Sequence, residues 1–172
     1  MIGRMLHGIV ACDPNGVIAV NGEIPWTLKE DVQMFKHLTA GNVVIMGRKT
    51  YESMNCEPLK NRYNIVLSHK KEGIVELISP WCIHCPDICS VIRKAQEIME
   101  LQRCGAWVIG GAEIYSLFLP YIESFYVTRV SEEYEGDVDI QETLDKMRDW
   151  KWNELFSFKN LATVYRVVRN NG

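Results

Sequence analysis

The sequence predicts an α/β fold: a mixed, mostly parallel central sheet of about eight strands flanked by helices, with antiparallel strands at its C-terminal end. Three observations lead there. Val43-Val44-Ile45-Met46, Ile65-Val66-Leu67 and Trp107-Val108-Ile109 are continuous apolar runs, as expected of strands covered on both faces. Helical periodicity falls between such runs, as in residues 90–104, where Val91, Ile92, Ala95, Ile98 and Met99 share one face. Beyond residue 124 the pattern changes, and residues 154–159 and 163–169 read as a strand pair around Asn160.

The chain has 172 residues, 47% apolar and 24% charged, enough for one domain with a substantial core, and residues 1–172 are expected to form it. A net charge of −3 gives no reason to expect nucleic acid or an anionic membrane as partner. No apolar run approaches the length that spans a bilayer, and residues 1–5 are too short and mixed for a signal peptide. A monomer in the cytoplasm is the expectation.

Taken in order, residues 6–12 suit a buried strand and Asp13-Pro14-Asn15-Gly16 a turn. Residues 17–24 show no clear period and read as a mobile loop leading into Pro25. A helix follows to about Thr39: Thr27 and Glu30 form a capping box, and Leu28, Val32, Phe35 and Leu38 mark the buried face. Residues 42–46 and 64–68 are strands, the first ending in Gly47-Arg48-Lys49-Thr50 and the second in His69-Lys70-Lys71. The strand at residues 107–109 ends in Gly110-Gly111; a short helix at residues 114–119 and a strand at residues 125–130 follow, then a loop at residues 134–137.

Asp31 lies on the apolar stripe of the first helix, while Lys29, Gln33 and Lys36 point away. Two readings are open: an acid at a helix N-terminus that touches solvent, or a carboxylate held in an apolar pocket walled by Trp26. A buried carboxylate needs a partner, and the neighbouring sequence offers only apolar side chains. The three strand ends gather glycines and the cations Arg48, Lys49 and His69, which suits an extended phosphorylated ligand across the carboxyl ends of the sheet. Neither Gly-x-Gly-x-x-Gly nor a Walker loop is present. Cys82, His84, Cys85 and Cys89 have metal or redox spacing, but no second Cys-x-x-Cys exists. We read them as reduced thiols in a loop before a helix, with no metal bound.

These residues carry a resemblance to dihydrofolate reductase. The matching pieces are Ile9-Val10-Ala11, Asn21-Gly22-Glu23-Ile24-Pro25-Trp26, Asp31 with Phe35, and Val44-Ile45-Met46-Gly47-Arg48-Lys49-Thr50-Tyr51-Glu52-Ser53. Arg62 before Asn64-Ile65-Val66-Leu67-Ser68, then Ile109-Gly110-Gly111-Ala112-Glu113-Ile114-Tyr115, Thr128 and Gly136-Asp137 complete them, in family order. The resemblance implies that fold, NADPH as hydride donor, 7,8-dihydrofolate as substrate and antifolates as inhibitors. It implies that Asp31, helped by the Thr128 hydroxyl, binds the pterin 2-amino group and N3, and that a water near Trp26 protonates N5. The carbonyls of Ile9 and Ile109 would line the pterin's other edge, with Val10 beside them, while Phe35, Met54 and Leu59 pack on the rings and Arg62 holds the glutamate α-carboxylate. For the cofactor it implies Arg48, Lys49, Ser68 and His69 at the 2′-phosphate, Thr50 at the pyrophosphate, a cis Gly110-Gly111 peptide, and Tyr115 near the nicotinamide. Ala11, Ile18, Gly22, Gly47, Leu67, Ala112, Glu113 and Ile114 would complete the cofactor site, and residues 17–24 would be a lid closed on the loop bearing Asp137.

The chain departs from the family pattern at Ala19, where many members have glycine, and at Val138, where threonine is commoner. Glu57 adds an acid near the glutamate end of the substrate site, and residues 81–89 have no counterpart. Two other functions compete: a riboflavin-pathway pyrimidine reductase of the same fold, and a catalytically silent folate-binding protein. Asp31 and Arg62 speak against the first, because its substrate has neither pterin amidine nor glutamate.

Overall fold

A computed structural model describes residues 6–69 and 76–171. Residues 1–5, Lys70 and Lys71, which enter the readings above, lie outside the described residues. Eleven strands and five α-helices are described; nine of the strands form one sheet and two a small second one. The large sheet contains β1 (Leu6–Cys12), β3 (Val43–Gly47), β4 (Tyr63–Leu67), β5 (Glu76–Ser79), β6 (Cys82–Cys85), β7 (Ala106–Gly110), β8 (Ile122–Val130), β10 (Lys151–Phe158) and β11 (Ala162–Val168). Their spatial order is β10-β11-β8-β1-β7-β3-β4-β6-β5. From β8 to β6 every pairing is parallel. The pairs β8–β11, β10–β11 and β5–β6 are antiparallel.

The apolar runs explain the two-sided core. Successive side chains on a strand face opposite ways. Val43, Ile45, Ile65, Leu67, Ala106 and Val108 therefore enter one apolar layer, and Val44, Met46, Val66 and Trp107 the other. The first layer is closed by α3 (Ile88–Gln102) and α4 (Ala112–Phe118), with Leu144 of α5 (Gln141–Lys146). The second is closed by Phe35 and Leu38 of α1 (Lys29–Thr39) and Tyr51 of α2 (Arg48–Ser53). Connections advancing along the sheet use α1 and α2, and those returning use α3 and α4, as right-handed crossovers require. On α3, Val91, Ala95 and Met99 are buried as expected, and Asp87 caps the helix by accepting from Ser90 N at 2.7 Å.

Several readings need correction. Thr27 does not cap α1: the N-cap is Leu28, extended at φ −134° and ψ 96°, with no side-chain cap bond. Leu28 is buried against Val130 and Ala162, which draws the chain out straight through it. Burying a leucine stabilises by about 1.5–3 kcal/mol, more than the ~1 kcal/mol of a cap. Val32 is 50% exposed, because the packed stripe of α1 runs through Phe35 and Leu38. Residues 17–24 are not irregular throughout. They contain β2 (Val17–Ala19), antiparallel to β9 (Val138–Asp139), and a Val20–Glu23 bridge. The cysteine stretch is not a loop: β6 carries Cys82 and Cys85, with β5 on the outer edge.

Candidate active site

The carboxyl ends of β1, β3 and β7 lie side by side, with α1 crossing the face that carries Trp107 and Met46. Asp31, in the first turn of α1, is half-buried there. The Thr128 hydroxyl of β8, itself 1% exposed, donates to Asp31 Oδ1 at 2.6 Å. Local sequence offered no such partner, which is 97 residues away; the family resemblance alone pointed to Thr128. Burial pushes the Asp31 carboxyl above its ordinary value, and the Thr128 hydrogen bond works against that rise. The result is a carboxylate with one fixed donor and its other oxygen available to a ligand.

Around it the fold gathers a half-buried apolar lining. Phe35, Met54, Leu59 and Ile109 pack against the cluster that contains Ile9. Val10 does not join them: it is 7% exposed and belongs to the layer on the opposite face of the sheet. Trp26 is half-buried against Tyr134, ring centroids 5.4 Å apart, in the small cluster around Leu28.

Arg62 stands at the end of this lining, 8% exposed, its guanidinium 5.9 Å from the centroid of the Phe35 ring. Its Nε is buried without a hydrogen-bond partner among the described residues, and burial lowers its pKa. Asn64, missed as a site residue, holds this arginine's loop. Its Nδ2 donates to Leu59 O at 2.9 Å and to the Arg62 and Trp81 carbonyls at 3.1 Å, while Oδ1 accepts from Leu59 N at 2.9 Å. A lone asparagine inside the apolar run 64–67 was the available signal, since buried amides need partners.

The glycine-marked strand ends form a second region. Gly110-Gly111 is a cis peptide, and Gly110 has φ +122°, a conformation that favours glycine. A Cβ on Gly111 would lie 3.7 Å from Thr50 Oγ1, so the missing side chain keeps a gap open between β7 and α2. Gly47 is needed for packing: a Cβ there would stand 2.7 Å from Ile114 Cγ1. Tyr115, 3% exposed, donates to Ile9 O at 2.7 Å, and burial raises its pKa strongly. Ser68 and Leu67 are buried at the end of β4, while Lys49, His69 and Glu113 are exposed. Arg48 Nη1 is paired with Glu52 Oε1 at 2.9 Å along α2. Ala11, Ile18, Thr50 and Ala112 are half-buried, and Gly22 is exposed with φ +80°.

Residues 17–24 and the segment bearing Asp137 do meet. Asn21 N donates to Asp137 Oδ1 at 3.1 Å, and Asp137 N to Ala19 O at 3.2 Å. Ala19 and Val138, the two departures from the family pattern, are register partners across β2 and β9. Cys82 and Cys85 are both fully buried in opposite layers of the sheet, since i and i+3 on a strand face opposite ways. Among the described residues no group of three or more His, Cys, Asp or Glu is arranged to hold a metal ion, and no helix is long and apolar enough to cross a membrane. A hollow of about 600 Å³, lined by His7, Asn42, Arg103 and Gly105 among others, lies at the amino ends of β1, β3 and β7, away from this site.

Comparison with known proteins agrees with the geometry. Residues 5–163 match the family model described as dihydrofolate reductase. A dihydrofolate reductase of Bacillus subtilis is 34% identical over 137 residues, covering 77% of this chain and 73% of the relative. One of Buchnera aphidicola is 37% identical over 155 residues, covering 88% and 86% respectively. A solved structure of dihydrofolate reductase from Enterococcus faecalis, complexed with NADP(H) and RAB-propyl, superimposes with a TM-score of 0.77 at 29% identity, over 100% of this chain and 99% of that one.

Proposed function

The chain belongs to the dihydrofolate reductase family, and on that premise we propose that it reduces 7,8-dihydrofolate to 5,6,7,8-tetrahydrofolate, hydride reaching C6 and a proton N5. The observation that carries this reading is Asp31: a half-buried carboxylate, fixed by Thr128, at the mouth of an apolar lining. NADPH, when bound, supplies the hydride. The residues present fit it. The Gly111–Thr50 gap admits close backbone approach at the strand ends, and Arg48, Lys49, Ser68 and His69 supply donors for a 2′-phosphate.

The chain's own residues do the rest. Asp31 accepts from the 2-amino group and N3 of the pterin, which orients the ring and draws electron density toward N5. Burial raises its pKa above the ordinary carboxyl value, and the Thr128 hydrogen bond holds that rise back. Phe35, Met54, Leu59 and Ile109 exclude water around the rings, which favours hydride transfer. Trp26 borders the place where a water would reach N5. The Arg62 guanidinium, set over Phe35 at the end of the lining, would take the glutamate α-carboxylate. Tyr115 engages the Ile9 carbonyl, so that oxygen offers its remaining lone pair to a ligand.

We further propose a single-domain monomer of the cytoplasm, with small-molecule ligands, antifolates among them, and no nucleic-acid partner. The experiment is direct: purified protein with NADPH should lose cofactor absorbance on addition of dihydrofolate. Absence of that loss, together with turnover of an aminopyrimidine ribitol phosphate, would favour the riboflavin-pathway reaction instead.

A further inference from the structure

Asp13, directly after β1, is 0% exposed. Three backbone N–H groups donate to it: Asn15 and Val17 to Oδ1, each at 2.8 Å, and Tyr134 to Oδ2 at 2.9 Å. The two oxygens have different tasks. Oδ1 closes the turn that launches β2. Oδ2 reaches 121 residues along the chain to the segment before β9. The Tyr134 ring then packs on Trp26, and Trp26 packs with Leu28 at the entrance to α1, ahead of Asp31.

A turn of this kind is readily closed by asparagine or serine, without the cost of desolvating a carboxylate. What the carboxylate adds is a second acceptor oxygen on so short a stem. Asparagine has one acceptor, serine cannot reach two distant segments, and glutamate is longer. The buried charge is therefore explained by the tie to Tyr134, not by the turn. We propose that Asp13 is a positioning residue for the reduction: through Tyr134 it holds Trp26 against Leu28, at the entrance to the helix that bears Asp31, and through Val17 it fixes the start of the lid. This rests on the reductase reading above.

Asp13→Asn separates the two tasks. The amide oxygen still accepts from Asn15 and Val17, while the amide nitrogen meets Tyr134 N–H as donor against donor. A hydrogen bond to a charged group is lost at Tyr134, so its amide should exchange with solvent about ten- to a hundredfold faster, whereas Val17 should change by less than about twofold. Misplacing Trp26 should lower kcat for dihydrofolate by about tenfold while KM for NADPH stays within about twofold. Tyr134→Ala, which keeps the hydrogen bond but removes the ring from Trp26, should lower kcat to a similar extent. The exchange measurement needs no substrate and is independent of the reductase reading. Wild-type protein inert toward dihydrofolate would overturn that reading and this proposal with it. An active wild type whose Asp13→Asn variant keeps its kcat, or keeps Tyr134 protected, overturns the proposal alone. So does Tyr134 and Val17 exchange rising together with the fall in melting temperature, and so does an unchanged kcat in Tyr134→Ala.

Discussion

Replacing Arg62 by leucine removes a guanidinium whose buried Nε has no hydrogen-bond partner among the described residues. At 8% exposure over the Phe35 ring, its guanidinium is partly desolvated, which is why its pKa is lowered. Such an arrangement is costly unless a ligand supplies the missing acceptor. A hydrogen bond to a charged group contributes roughly 1.5–3 kcal/mol, and each 1.4 kcal/mol is tenfold, so KM for dihydrofolate should rise about ten- to a hundredfold. A dihydropterin without the glutamate never meets the arginine, and its KM should be unchanged. Arg62→Lys should not rescue dihydrofolate, because an ammonium lacks the bidentate fork. The assay is steady-state NADPH oxidation with both substrates, read as a double-mutant cycle between the guanidinium and its carboxylate. Melting temperature of the unliganded variant should not fall, since leucine removes the cost of desolvating the guanidinium. Equal losses for both substrates, with a lowered melting temperature, would mean that Arg62 holds the fold instead.

Three further outcomes follow from the same geometry. Thr128→Val removes the hydroxyl that donates to Asp31 and should move its titration further up in pH, seen by carboxyl NMR, with KM for dihydrofolate raised severalfold; an unmoved titration would show that the 2.6 Å hydrogen bond is inconsequential. Arg48→Ala should raise KM for NADPH and leave NADH nearly unchanged, the exposed pair with Glu52 being worth only about 0.3–0.5 kcal/mol to the fold; equal effects on both cofactors would make Arg48 structural. Because burial raises the Asp31 carboxyl above 3.8, the folded chain keeps that proton to higher pH than the unfolded chain, and this group's contribution to stability declines as pH rises from there. Asp31→Asn, which never ionises, should therefore melt higher than wild type at neutral pH, with the difference vanishing below the ordinary carboxyl range; a lower melting point at neutral pH would contradict the direction of the shift.

The sheet was legible because its central strands are apolar on both faces, and β3, with all five residues buried, leaves no other reading. Asp31 was legible as an acid on an apolar stripe, and its family motif is contiguous. What stayed hidden depends on distance in sequence. Periodicity makes Thr128 one threonine in an ordinary strand, and only the family resemblance named it as a helper of Asp31; the hydrogen bond itself forms because β8 lies beside β1. Asp13 reads as turn chemistry, and only the fold brings Tyr134 N to its second oxygen. The Thr27 cap failed because the local signal competed with burial of Leu28 among residues from β8 and β11. The β5–β6 pair was obscured because Cys82, His84, Cys85 and Cys89 have the spacing of metal ligands, while the strand sends Cys82 and Cys85 to opposite layers.

The role of Asp31 is tested most directly by the pH–rate profile of Asp31→Asn with dihydrofolate and NADPH. The variant should bind folate yet lose about 10²–10⁴-fold in turnover at neutral pH, because the carboxylate's help with N5 protonation is gone. The deficit should shrink as pH falls and solvent protonates the substrate beforehand. Near-wild-type turnover at neutral pH, or a deficit that stays constant across the acid range, would contradict the assignment of Asp31 to the chemistry.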